Sequence, residues 1–256
     1  MVDTYAQVMR PADEPGKRRA TRSGAGRRPS AAPSLAAAPS QAKSTSAEGE
    51  GPPGESPETP AEAMFAAAVA AFMAGREAQA DRDFFFEDVP APKRLAPYAT
   101  AIAATVQRDG ADVAWGRLVL LYDPDGQEGW DGVFRLVAYV RADVEPEMAA
   151  DPLLGEVGWS WLSEALDAHV PGYAVPSGTV TRVITEGFGA KRDELPLTGF
   201  ELRASWSPAG PGNSAGDHDL DTLDLPAHIS AWCDCLSAAA GLEPPGTRAL
   251  RPPGRG

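Results

Sequence analysis

Three short stretches of the chain carry residue types that do chemistry. The first is "DPDGQEGWD", which gathers Asp123, Asp125, Glu128 and Asp131. Hard carboxylate oxygens at such spacing are what a calcium ion takes, but the alternating ligand pattern and closing glutamate of a calcium loop are missing. Pro and Gly beside Asp are what a tight turn needs, so a turn is expected. The second is "WCDC", with Cys233 and Cys235 one residue apart and His228 upstream. The spacing is C-x-C rather than C-x-x-C. On a helix, His228 and Cys235 share a flank but stand about 10 Å apart along the axis, too far to hold one ion. Buried thiols are expected. The third, "GWSWL", opens like a nucleophile elbow, but Leu162 stands where the last glycine belongs and the segment reads as helix. With His169, His218 and His228 the only histidines, no Ser–His pair is expected. "GFG" at Gly187–Gly189 is no dinucleotide fingerprint, and no phosphate loop occurs. No catalytic residue, metal or cofactor is assigned, and the balance tips away from an enzyme.

A subtler constellation comes from strand alternation. In "DGVFRLVAYVRADV", Phe134, Leu136, Ala138 and Val140 point one way and form core. Val133, Arg135, Val137, Tyr139 and Arg141 point the other. Trp115 and Arg117 in "DVAWGRLVLLYD" and Arg203 in "GFELRASW" also fall on non-core faces. A sheet face bearing Trp115, Tyr139, Arg117, Arg135, Arg141 and Arg203 suits an anion, a nucleotide or an acidic peptide. Ordinary cross-strand pairing with residues such as Glu201 explains the same pattern and is preferred.

The elements that must position these residues follow from periodicity. "TPAEAMFAAAVAAFMAGREAQA" is a helix with a capping box, Thr59 to Glu62, and Pro60 at its first position; Phe65, Val69 and Phe72 share one face. "DFFFEDVPAPKRLAP" is broken by prolines and is expected to lie across the surface. Strands follow at "YATAIAATVQRDG", "DVAWGRLVLLYD" and "DGVFRLVAYVRADV", the last two joined as a hairpin by "DPDGQEGW". "ADPLLGEVGWSWLSEALDAHV" is a helix capped by Asp151. Strands "GTVTRVITEGF" and "GFELRASW" precede a last helix, "DLPAHISAWCDCLSAAAG", capped by Asp224 and ended by Gly241, with Leu225, Ile229, Trp232, Cys233 and Leu236 buried. The order αβββαββα describes an α+β domain on an antiparallel sheet.

Around that domain, residues 1–58 form an Ala/Pro/Ser/Gly-rich tail with too few bulky apolar side chains to order itself. Residues 59–242 make one domain and 243–256 a flexible C-terminal tail. After residue 60 the chain holds 15 Lys and Arg against 29 Asp and Glu. So acidic a domain is a poor nucleic-acid binder, because phosphate recognition is mostly electrostatic. No secretory signal is read, and "AMFAAAVAAFMA" is too short to span a bilayer, so no membrane contact and a cytoplasmic location are expected.

The tryptophans of "VGWSWLSEAL" pose the sharpest question, since Trp159 and Trp161 point about 200° apart on a helix. Val157, Trp161, Leu154, Ala165, Leu162, Leu166, Trp159 and Val170 fall on one arc about 220° wide, against the roughly 100° usual for a helix on a core. Trp161 is expected in the core. Trp159, at the edge, is expected to meet a homodimer mate or another protein.

The runs "RLAPYATAIAATV", "GRLVLLYDPDGQEGWDGVFRLVAYVRADVEPEMAADPLL", "VGWSWLSEALDAH" and "HISAWCDCLSAAAGLEPPG" closely resemble the actinobacterial family of unknown function DUF3000, over about residues 62–250. That resemblance implies a relative and no activity. The element order is also similar to that of type III secretion chaperones, which bind protein partners as dimers. The function expected is a soluble binding or adaptor protein of chaperone-like architecture. The competing expectation is a small-anion or nucleotide binder, or an enzyme, using the Trp/Tyr/Arg face.

Overall fold

Thr59 opens the first helix by a reciprocal cap. Its hydroxyl accepts from the Glu62 backbone N–H at 3.2 Å, while the Glu62 carboxylate accepts from the Thr59 N–H at 2.8 Å. Those bonds hold the Glu62 carboxyl below its ordinary pKa. Helix α1, Pro60–Glu77, follows. The structure is a computed structural model of the chain and describes residues 59–80, 83–193, 195–212 and 219–242. The tails read from the sequence lie outside the described residues, as does His218.

Six strands form one antiparallel sheet in the order β1-β2-β3-β4-β6-β5. They are β1 Phe84–Asp88, β2 Tyr98–Arg108, β3 Ala111–Tyr122, β4 Phe134–Asp143, β5 Tyr173–Thr185 and β6 Leu197–Pro208. Asp109 and Gly110, at φ +53° and +79°, make the two-residue turn between β2 and β3, a conformation that favours this Asp-Gly pair. Strand β1 occupies part of the stretch expected as surface coil. Its five residues alternate a buried Phe84 with an exposed Phe85 before Pro90 and Pro92 forbid further pairing. An Arg76–Asp88 ion pair ties this short edge to α1.

Helices α1, α2 (Pro146–Ala150), α3 (Leu154–His169), α4 (Leu220–Leu223) and α5 (Leu225–Ala239) pack over one sheet face. The expected α+β architecture is the one observed. Helix α5 lies at its centre, with Leu225, Ile229, Trp232, Cys233 and Leu236 all fully buried. Asp224 caps it from a left-handed conformation, φ +45°, by accepting from the Ala227 N–H at 3.1 Å. Gly116 lets α5 sit directly on β3, since a Cβ there would stand 2.8 Å from Trp232 and 3.0 Å from Leu236. Asp151 is not the cap read from the sequence: it stands in a turn before the helix, whose N-cap is Leu153 with no side-chain cap bond. The Asp151 carboxylate bonds the Leu153 N–H at 2.8 Å, and α3 begins at Leu154.

The opposite sheet face carries a second, smaller apolar cluster of Ala101, Val119, Leu121, Trp130 and Val137. The chain around Val89 and Leu95 and the β3–β4 loop bearing Trp130 cover it. This cover matters for the arginines.

Candidate functional site

The three chemistry-bearing stretches resolve into structural roles. Asp123 accepts from the Asp125 N–H at 3.2 Å and from the Gln127 amide at 3.0 Å, and Gly126 and Gly129 take positive φ. "DPDGQEGWD" is a turn that lowers Trp130 onto the sheet. Neither Cys233 nor Cys235 is in a disulfide and both are fully buried, and burial beside Asp234 pushes the Cys235 thiol up to about 12. Among the described residues, no group of three or more His, Cys, Asp or Glu is arranged to hold a metal ion. His228 is fully buried too. Its Nδ1 accepts from the Trp206 indole N–H at 3.0 Å, and burial lowers its pKa to about 3, only partly opposed by a bond to the Leu223 backbone.

The arginine–aromatic face forms, but most of its cations serve the fold. Arg135 is only 4 % exposed. Its guanidinium donates to Ser205 Oγ at 2.8 Å, the Val175 carbonyl at 3.0 Å and Ser207 Oγ at 3.2 Å, bracing β4 against β6 and the start of β5. Arg117 donates to the Pro90 carbonyl, pinning the covering chain, and burial lowers its pKa. Arg203 pairs with Glu201 at 3.1 Å and lies over the Tyr139 ring, 5.8 Å from its centroid. Trp115 meets Tyr139 edge-on at 5.5 Å, and burial with the neighbouring Glu201 raises the Tyr139 phenol to about 12. Arg141, opposite Trp115 and Glu201, is exposed. Contacts within the chain thus engage Arg117, Arg135 and Arg203.

The two tryptophans straddle the middle of the buried stripe of α3, and that middle is a glycine. Leu154, Gly158, Leu162, Ala165 and Leu166 face inward, and a Cβ on Gly158 would stand 2.2 Å from the Phe200 ring. With the helix so close, side chains on both shoulders reach the sheet. Trp161 meets Phe200 edge-on at 5.2 Å, and Trp159 lies over Gly178 of β5, whose Cβ would fall 2.6 Å from the indole. Both are half-buried. The expectation of a core Trp161 is corrected to a flanking one, because glycine holds the central place.

Periodicity did not reveal the surface that stands out. Among the described residues, exposed large apolar side chains concentrate at one corner. Met148, Leu153 and Val157 lie around α2 and the start of α3; Ile184, Phe188, Leu195 and Leu197 lie around the β5–β6 hairpin end. Three connections bring the two groups together: α2 packs on β5 and β6, Arg182 donates to the Asp151 carbonyl at 2.8 Å, and Thr198 bonds the Val144 carbonyl at 2.5 Å. Beside this corner runs the open edge of β5. The signal in the sequence was the apolar residues between Ile184 and Leu197 that fit no alternation.

No helix among the described residues is long and apolar enough to cross a membrane. No curated protein and no solved structure matches the chain, so the likeness to secretion chaperones is one of element order alone. The model of a protein family of unknown function matches residues 61–248, which take in every strand of the described sheet and the helices from α1, less its first residue, to α5. The chain belongs to the DUF3000 family.

Proposed function

We propose that the protein is a binding or adaptor protein that acts by docking another protein, in the manner of a small chaperone. The carrying observation is the apolar corner. Phe188 is 79 % exposed, Leu195 88 % and Leu197 67 %, beside the less exposed Leu153 and Val157 at 56 % and 42 %. Monomeric proteins seldom leave contiguous apolar patches beyond about 300–600 Å² uncovered, and larger ones mark contact sites. The small-ligand alternative draws less support, since Arg117, Arg135 and Arg203 are engaged within the chain.

The test is capture of a partner by the full chain from its own host, set beside Leu153→Asp and Leu195→Asp variants. Capture of one protein at defined stoichiometry, lost in both variants while their melting temperatures hold, is expected. A nucleotide, acyl-CoA or phosphosugar that raises the melting temperature in wild type but not in Arg141→Ala, with no protein captured, would reverse the choice.

A further inference from the structure

Among the described residues, strand β5 is the long edge of the sheet with no strand beside it on its outer side, and we infer that it pairs antiparallel with β5 of a second copy, about a two-fold axis at Thr181. The inference rests on the protein-contact reading above and names one partner for it. Proteins ordinarily blunt free edges with charges, prolines, bulges or brevity. Here the blunting is confined to the start, where Val175 takes φ +43° and Pro176 lacks an N–H, and the register with β6 slips between Ala174 and Ser177. From Ser177 to Thr185 the edge is regular, rich in Thr, Val and Ile, and carries one charge, Arg182. No acidic residue occurs between Asp167 and Glu186 in a domain otherwise dense with them. Two copies with the same strong negative charge can approach most easily along such a stretch.

Self-complementarity fixes the register. In a two-fold antiparallel pair, directly opposed residues lie on the same face, so one residue must stand opposite its own counterpart, with the axis midway between the two. Placing it at Thr181 pairs the whole run, Ser177 against Thr185 and Thr179 against Val183. Placing it at Arg182 opposes two like charges, which is unfavourable. With Thr181 on the axis, the second copy's Ile184 falls opposite Gly178. Gly178 has no side chain, and the Trp159 ring covers it on the helix side. The exposed Ile184 thus gains the half-open Trp159 as its seat, twice over by symmetry. The same register carries the hairpin tip, with exposed Phe188 and basic Lys191 and Arg192, alongside a hollow of about 570 Å³ in the other copy. That hollow is walled by Pro171, Tyr173 and Val175 and rimmed by Asp131 and Asp167. Shape and charge complement each other across the pair.

Sedimentation equilibrium of the full chain tests this, and a dimer is expected. Ile184→Glu should weaken it about tenfold or more, the loss of one well-seated apolar contact. Thr181→Cys alone should link two copies by a disulfide on mild oxidation, because Cys233 and Cys235 are fully buried, whereas Thr179→Cys alone should not. A chain that stays monomeric overturns the inference, as does a dimer that Thr181→Cys fails to lock. A dimer that Ile184→Glu leaves intact overturns it as well. Should Ile184→Glu not fold, the two cysteine variants decide. Failure here with partner capture retained removes this inference alone. A dimer of this register that captures no other protein removes the adaptor reading alone.

Discussion

Trp206 on β6 donates its indole N–H to Nδ1 of His228 on α5, 3.0 Å away, with both side chains wholly out of water. The bond places the imidazole proton on Nε2 and requires the ring to be neutral. The folded-state pKa is about 3, against about 6.5 for an unfolded histidine. The unfolded chain therefore takes up this proton first as pH falls. The stability from a neutral His228 is whole above pH 6.5 and drains as pH drops from there toward 3, by up to about 1.4 kcal/mol per pH unit. Urea unfolding between pH 7.5 and 4.5 should show this loss, and His228→Gln should show a slope shallower by about one proton.

Gly158 and Gly155 lie on the same helix and should respond oppositely to a methyl group. Gly158→Ala drives a Cβ into the Phe200 ring and should cost about 1–3 kcal/mol or more. Gly155→Ala meets nothing within 4 Å and should gain about 0.5–1 kcal/mol from helix propensity. Thermal unfolding of the pair checks both signs.

Arg135 and Arg141 share a strand face and a type but not a role. Arg135→Ala strands buried serine and carbonyl acceptors and should lose about 3 kcal/mol; Arg135→Lys should recover little, because one ammonium cannot span the same acceptors. Arg141→Ala, at an exposed position, should stay within about 0.5 kcal/mol of wild type. Denaturant midpoints separate the two.

The buried thiols give a reporter of opening. Neither Cys233 nor Cys235 should react with a thiol reagent in the native protein at pH 8, because both are sealed and burial disfavours the Cys235 thiolate. Labelling should become complete in denaturant, and its native rate should track the melting of α5.

Much of the fold was legible because its periods are strong. The stripe of α5 and the alternations of β4 and β6 came through residue by residue, down to Phe200, Leu202, Ala204 and Trp206 in the core. What escaped did so for identifiable reasons. Strand β1 is five residues long and ends in prolines, too short for alternation to outweigh them. Gly158 adds nothing to an apolar arc, yet close helix–sheet contact needs it there. Arg135 falls on the non-core face, as its alternation says. Alternation cannot foresee that the loop leading into the strand will fold Trp130 back over that face and turn an apparent ligand contact into a strut. The apolar corner escaped because it is assembled from the ends of α2, α3, β5 and β6 and the β5–β6 connection, which are far apart in sequence.

The two margins of the sheet are unequal, and that inequality bears on how far association can run. Strand β1 offers five residues, carries Glu87 and Asp88 and is clamped by Arg76, while β5 offers a long, nearly uncharged run. A protein with two open margins can stack copy upon copy into a fibre; one with a single open margin cannot. A two-fold contact consumes that margin in both participants at once and leaves only the acidic, clamped ones outward. Under the β5 pairing proposed above, growth would terminate at two copies, and concentration would raise the share of dimers without seeding filaments.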